Sequence, residues 1–240
     1  KIPGLVVAKT MRRLNYSFTS NMQRTESMTF EVDKQTIRDL EIFGTEKNYA
    51  SVFQIFNNTK TNGGRNRLHQ FMQFPFFEIE KIQRRSYALK FFCTNDFELT
   101  INSSQFDFIE HYLNLNVSVL RNNFLDAFLQ FISYKLKPLN NYYVIQAGIR
   151  QLVFLLQQLK EKIETLDNLS LPEELNCQIE FIRHFLSNRD IAQTIASKEK
   201  ISCFSLNRFD NFFRKKHRED TLELISVIYT LDAFISIAEV

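Results

Sequence analysis

The stretch NNTKTNGGRNRLHQFMQFPF, residues 57 to 76, decides how this chain begins to fold. It holds two of the five glycines of the chain, Gly63 and Gly64, which follow a threonine-rich segment. An apolar run with helical spacing comes next and ends at Pro75. Glycine and proline are the strongest local breaks in a sequence, so the stretch predicts a turn, one helix and a second break.

The predicted helix has one apolar and one polar face. Three apolar residues share the spacing of a helix face that packs on a core: Leu68, Phe71 and Met72. Three polar residues are expected to face solvent: Arg65, Arg67 and Gln70. Gly64 is expected to adopt a backbone angle that a side chain would resist.

The glycine pair also suggests a nucleotide-binding loop. A Walker A loop needs a Gly-Lys step, because its lysine reaches the phosphates that the backbone amides surround. Here Arg65 follows Gly64, and the chain contains no Gly-Lys pair. A weaker phosphate site at the helix N-terminus, with Arg65 and Arg67, stays open. A plain turn at a helix start is the commoner structure.

The composition favours an all-α fold. The 240 residues are 44% hydrophobic and include 25 Phe, but only 5 Gly and 4 Pro, which are few for the turns of a sheet protein. The longest periodic segment, Tyr142 to Leu166, predicts a helix of roughly 35 to 40 Å whose charged end leaves the main body. A final amphipathic helix runs to the last residue without a cap, which suggests that the chain continues. No run of eighteen apolar residues is present, so no membrane partner is expected.

The strongest electrostatic feature is the basic run, residues 214 to 218. Four of its cations are candidates for contact with the DNA backbone: Arg214, Lys215, Lys216 and Arg218. The alternative is a solvated helix junction, because acidic residues on both sides offset much of the charge. A net charge of +3 does not by itself require a nucleic-acid partner.

The sequence offers no catalytic or metal-binding constellation. The four histidines are dispersed, and no H-E-x-x-H, C-x-x-C or G-x-S-x-G pattern occurs. Paired carboxylates stand at predicted helix starts, where the helix dipole already explains them. We therefore expect no enzymatic activity, no metal and no cofactor in this chain. Three widely spaced cysteines suit a reducing cytoplasm.

Three segments together resemble the core of the MutS family of DNA repair proteins. VDKQTIRDLEIF, residues 32 to 43, resembles the opening of that core through Asp33, Thr36, Leu40 and Glu41. The second segment is similar to the family pattern Thr-x-Thr-x-x-Gly-x-Arg-x-Leu and its continuation, with matches at Thr59, Thr61, Gly64, Leu68, Pro75, Ile82 and Arg85. Asn66 stands where the family usually has arginine. LDAFISIAEV, residues 231 to 240, resembles the helix that closes the core before the ATPase domain.

The resemblance implies an all-α MutS core-type domain with two long antiparallel lever helices. It divides the chain into a connector segment, a first part of the helical core, the lever helices with a returning segment, and a helix that completes the core: residues 1–31, 32–136, 137–218 and 219–240. The basic run then falls near the outer part of the returning lever arm. The short span between Leu166 and Glu219 is similar to a clampless branch of the family.

The function implied by the resemblance is mechanical. This non-catalytic core and lever would couple a C-terminal ATPase domain of the same chain to double-stranded DNA, in mismatch repair or recombination. The parent protein would be a cytoplasmic, DNA-associated homodimer that binds ATP and Mg²⁺ in its ATPase domain. The alternative is an autonomous helical nucleic-acid-binding module that uses Arg65, Arg67 and the basic run.

Overall fold

The fold is helical throughout the part of the chain that the computed structural model describes, residues 32–44, 51–95, 97–100, 102–120, 140–192 and 202–240. These ranges contain no strand, which confirms the predicted all-α class. The predicted connector, residues 1–31, lies outside them. The helices are α1 (Lys34–Asp39), α2 (Val52–Phe56), α3 (Asn62–Gln73), α4 (Ile79–Thr94), α5 (Ser103–Leu113), α6 (Asn140–Thr165), α7 (Glu173–Leu186), α8 (Cys203–Asn211) and α9 (Arg218–Ala238), with a π-helical turn at Phe212–Lys216.

Helix α3 ends where the sequence predicts but begins earlier, at Asn62, so Gly63 and Gly64 lie in its first turn and not in a turn before it. Thr61 caps it, since its side-chain oxygen accepts a hydrogen bond from the backbone N–H of Gly64 at 2.9 Å. Leu68 is fully buried, and Phe71 packs against the core from a partly buried position. The helix ends before Phe74, the residue that precedes proline. The predicted inward face of α3 is therefore confirmed.

Helix α1 is shorter than its segment predicts. Asp33 caps its N-terminus, but Glu41 has a φ of 50°, in the left-handed region that ends a right-handed helix. The segment QTIRDLEIF places Ile37, Leu40 and Phe43 at helical spacing, which predicts a longer helix with all three side chains inward. Leu40 is instead 60% exposed. Phe43 lies beyond α1 and stacks on His69 of α3 with ring centroids 4.0 Å apart.

Helix α9 is the centre of the core. It packs against α3, α4, α7 and the π-helical turn. Of the described helices, only α9 is long and apolar enough to cross a membrane, with a mean hydropathy of 1.6. Half of that apolar stretch is buried inside the fold. Core packing therefore accounts for its apolar character.

Helix α6 is the long helix that the sequence predicts. Its 26 residues span about 39 Å, and it packs closely on α5, where a Cβ on Gly148 would overlap Tyr112. Its charged end does not leave the main body, because Ile163 and Leu166 are buried in the core. After a short turn the chain returns as α7, which has 14 residues and packs against α4, α6 and α9.

Candidate functional site

Buried hydrogen bonds join α9 to the loop that precedes α3. Asp232 of α9 is 4% exposed and accepts hydrogen bonds from the backbone N–H of Lys60 at 3.0 Å and of Thr61 at 2.9 Å. It also accepts one from the Thr61 hydroxyl at 2.7 Å. Burial of a carboxylate without partners is strongly unfavourable, and these three donors compensate that cost.

Ser236, one turn further along α9, fastens the other end of the same loop. Its hydroxyl donates to the carbonyl oxygen of Phe56 at 2.6 Å and accepts from the N–H of Asn58 at 2.7 Å. We call this set, Asp232 and Ser236 with the groups of Phe56, Asn58, Lys60 and Thr61 that they bind, the core junction. It links parts of the chain more than 170 residues apart.

The glycine pair allows α3 to approach α9. A Cβ on Gly64 would overlap the Asp232 carboxylate and lie 2.9 Å from the Thr61 hydroxyl oxygen. A Cβ on Gly63 would overlap the ring of Tyr229. Gly44 is the glycine with a positive φ in the described residues, and Gly64 is helical. The predicted reason for Gly64, an unusual backbone angle, is therefore wrong, and the close contact with Asp232 replaces it.

Apart from Ile82 and Arg85, the family-motif residues fall into two groups in the structure. Thr61, Gly64 and Leu68 come together against α9. The others serve local structure: Thr36 donates to the Asp33 carboxylate at 2.7 Å, Leu40 and Glu41 end α1, Thr59 donates to Asn57 at 2.8 Å, and Pro75 follows α3. The hydrogen bonds from Thr36 lower the pKa of Asp33.

Arg85, another motif residue, connects three helices. Its guanidinium lies 4.1 Å from the ring centroid of Phe71 and 3.8 Å from that of Phe76, a double cation–π contact. Burial lowers the pKa of Arg85 to about 10, and the charge of Glu174 on α7 opposes this shift. The arginine thus packs between α3 and α4 and faces a carboxylate of α7.

Arg67 does not face solvent as predicted. It is half-buried, its Nη2 donates to the Ser226 hydroxyl of α9 at 2.8 Å, and burial lowers its pKa. Arg65 is exposed, as expected. The possible phosphate site at the start of α3 therefore lacks one of its two predicted cations, and Thr61 already occupies the N–H of Gly64.

Arg214, the first residue of the basic run, is buried. Its Nε and Nη2 donate to the two carboxylate oxygens of Asp210 at 2.6 and 2.7 Å, and its Nη1 donates to the carbonyl of Val117 at 3.1 Å. Asp210, with no exposed surface, also accepts from the Tyr112 hydroxyl at 3.0 Å and the Leu120 N–H at 2.7 Å. Arg214 is therefore a structural cation, which corrects its prediction as a DNA contact.

The protonation of this buried group follows from its partners. Burial acts to lower the pKa of Arg214, but the hydrogen bonds and charge of Asp210 outweigh it and raise the pKa. Burial, together with the Asp210 charge, raises the pKa of Tyr112 well above its ordinary value. Arg214 thus stays charged and Tyr112 stays a donor.

The rest of the basic run is accessible. Lys215, Lys216 and Arg218 are exposed and form no ion pair with any residue that the structure describes. His217 lies between them, with its Nδ1 2.9 Å from a carboxylate oxygen of Asp220. Arg214, the first residue of the run, lies over the ring of Tyr112 on α5 and binds the carbonyl of Val117. The place of the run near the outer part of a lever arm stays a prediction.

The buried polar groups described above join helices and loops to one another. Within the described residues, no group of three His, Cys, Asp or Glu side chains could hold a metal ion. Cys93 and Cys177 are free thiols on the surface. The chemistry of the site is that of a junction between helices.

The family of the chain follows from a comparison of its sequence with protein-family models. The model of MutS domain III matches residues 35–238, from α1 to the end of α9. The chain belongs to the MutS domain III family. No curated protein sequence matches it. Membership assigns the chain to a non-catalytic, DNA-binding helical core of MutS-type mismatch repair and confirms the predicted resemblance.

Two buried carboxylates of this MutS domain III were not predicted from its sequence. Asp232 stands alone in the apolar run LDAFISIA, and an acidic residue inside an apolar helix is a usable signal of a buried partner. Asp210 lies four residues before Arg214, the spacing of an ion pair on one helix face. Neither pattern indicates which loop the carboxylate binds.

Proposed function

We propose that this MutS domain III transmits movement between an ATPase domain at the C-terminal end of the parent chain and double-stranded DNA. The core junction is the observation that carries the proposal, because Asp232 and Ser236 fasten α9 to the loop before α3. Close-packed helices joined by buried hydrogen bonds move as units. A displacement at the end of α9 would therefore be carried to α3 and, through Arg85, towards α4 and α7.

In this proposal the ATPase domain carries out ATP hydrolysis. That domain would bind ATP and Mg²⁺, and the parent protein would act in the cytoplasm as a DNA-associated homodimer. The purified chain is then expected to hydrolyse no ATP. Turnover that co-purifies with it through successive columns would contradict the assignment.

The test of coupling uses the protein that carries this domain joined to its ATPase domain. Thr61→Val removes the hydroxyl that donates to Asp232 and leaves the backbone N–H in place. We expect basal ATP turnover to stay unchanged, and its stimulation by mismatched duplex DNA to fall several-fold, because the core junction loosens.

Thr59→Val is the matched control, since the Thr59 hydroxyl donates only to Asn57 in its own loop. Thermal unfolding establishes that both variants are folded at the assay temperature. Equal stimulation of wild type and both variants would refute a coupling role for the core junction.

The alternative, an autonomous nucleic-acid-binding module, is supported by the exposed cations Lys215, Lys216 and Arg218. Two of the cations on which it depended, Arg67 and Arg214, are bound inside the fold. Tight and steeply salt-dependent duplex binding by the chain alone would favour this alternative. Weak binding favours the coupling role.

A further inference from the structure

A polar cavity of about 430 Å³ lies between the end of α5 and the basic run. One wall is the segment 113–117 with Val119, and the other is formed by Arg214 and Arg218. The exposed side chains of Asn114 and Asn116 belong to the first wall. The cavity takes no part in the core junction.

Hydrogen bonds hold the two walls at a fixed separation. Asp210 accepts from the Leu120 N–H, Arg214 donates to the Val117 carbonyl, and the Asn211 side chain donates to the Leu120 carbonyl. These bonds attach residues 117–120 to the end of α8 and the π-helical turn. The cavity is therefore built into the fold, since a buried ion pair supports its wall.

The π-helical turn sets the direction of the basic run. The backbone N–H of His217 donates to the carbonyl oxygen of Phe212 at 2.9 Å, a bond that spans five residues. Such a turn inserts one extra residue into a helix and shifts the side chains that follow, and it often occurs at functional sites. In this chain Arg214 is turned inwards to Asp210, while Arg218 reaches the cavity.

The charge around the cavity favours an anion. Asp210 neutralises Arg214, whereas Arg218 has no ion pair with a described residue. Lys215 and Lys216 do not line the cavity, but they are two further exposed cations of the same basic run.

Two carboxylates stand near these cations, at Glu219 and Asp220 in the first turn of α9. Asp220 is already held 2.9 Å from His217. The three unpaired cations thus outnumber the acidic groups beside them.

We propose that this cavity seats one phosphate group of the DNA backbone. Arg218 supplies the charged donor, and Asn114 and Asn116 supply neutral donors, which are usual partners of backbone phosphates. Arg214 is a positioning residue that holds residues 117–120 in place. The proposal rests on the DNA-binding role given above and names the site on this domain through which that role acts.

The first test measures binding of a fluorescent duplex to the full chain by anisotropy, between about 50 and 200 mM salt. Arg218→Ala is expected to weaken binding and to reduce the salt slope by about 0.9, the value for one lost phosphate contact. Asn116→Ala is expected to weaken binding without changing the slope, because the amide is uncharged. Arg38→Ala, an exposed arginine on α1, is the matched control and should leave the slope unchanged.

The second test titrates inorganic phosphate and follows side-chain amide signals by NMR. The signals of Asn114 and Asn116 should shift in the wild type and stay fixed in Arg218→Ala. The proposal is overturned if the chain binds no duplex at low salt, if Arg38→Ala lowers the slope as much as Arg218→Ala, or if the amide signals do not respond. Failure here leaves the ATP-turnover result of Thr61→Val untouched, so the two proposals fail separately.

Discussion

Substitution of Gly64 by alanine sets two energies of opposite sign against each other at the start of α3. In a helix, alanine is more favourable than glycine by about 1 kcal/mol, so helix propensity alone predicts a stabilised protein. The new methyl group, however, would overlap the Asp232 carboxylate and lie 2.9 Å from the Thr61 hydroxyl oxygen. Asp232 would have to withdraw from the donors of Lys60 and Thr61.

The second energy is the larger one. Overpacking costs about 1 to 3 kcal/mol, and a hydrogen bond to a charged group contributes about 1.5 to 3 kcal/mol. Together they give a loss of about 2.5 to 6 kcal/mol against a gain of about 1 kcal/mol. We expect Gly64→Ala to lower the free energy of unfolding by about 1.5 to 5 kcal/mol.

The assay is urea unfolding followed by far-UV circular dichroism, in two backgrounds. In Asp232→Ala the overlapping carboxylate is gone, so the added cost of Gly64→Ala should fall below about 1 kcal/mol, the remainder coming from Thr61. A stabilising Gly64→Ala in the wild-type background would refute the close-contact explanation. An equal cost in both backgrounds would refute the assignment of Asp232 as the group that is displaced.

Two further predictions concern buried polar pairs. Arg214→Met leaves the buried Asp210 without its bidentate partner, so we expect a loss of about 3 to 5 kcal/mol in urea unfolding. Adding Asp210→Asn should restore much of it, and a cost below about 1 kcal/mol for the single variant would contradict this. Tyr229→Phe removes the hydroxyl that donates to Glu110 at 2.6 Å. Burial raises the pKa of Tyr229, so this contribution is complete below about pH 10 and is lost as the pH rises further. The stability difference between wild type and Tyr229→Phe should therefore shrink in urea series above pH 10, and a constant difference would exclude the linkage.

Sequence periodicity predicts the long helices correctly because it depends directly on which residues are buried. The spacing around Leu68 predicts α3, and the run from Tyr142 predicts α6, since both helices bury one continuous face. Periodicity fails for α1, which is six residues long and ends at Glu41. There Phe43 stacks on His69 of α3, and this contact between separate elements takes the place of a longer α1.

The burial of charged residues in the candidate site could not be predicted from the sequence. A sequence suggests that an arginine is polar, but its exposure depends on what packs over it. Arg214 is covered because residues 117–120 lie across the π-helical turn, and Arg67 because α9 passes beside α3. The family resemblance correctly indicated the domain, yet it could not distinguish these structural cations from the exposed Lys215 and Lys216.

The long separation between the two halves of the core junction has a consequence for synthesis on the ribosome. Thr61 emerges 171 residues before Asp232, a delay of about 10 to 35 s at typical elongation rates. Throughout that interval α3 has its cap but lacks the helix that covers Leu68. The nascent chain thus displays apolar surface until α9 is made, and transiently exposed apolar surface of this kind favours aggregation during folding.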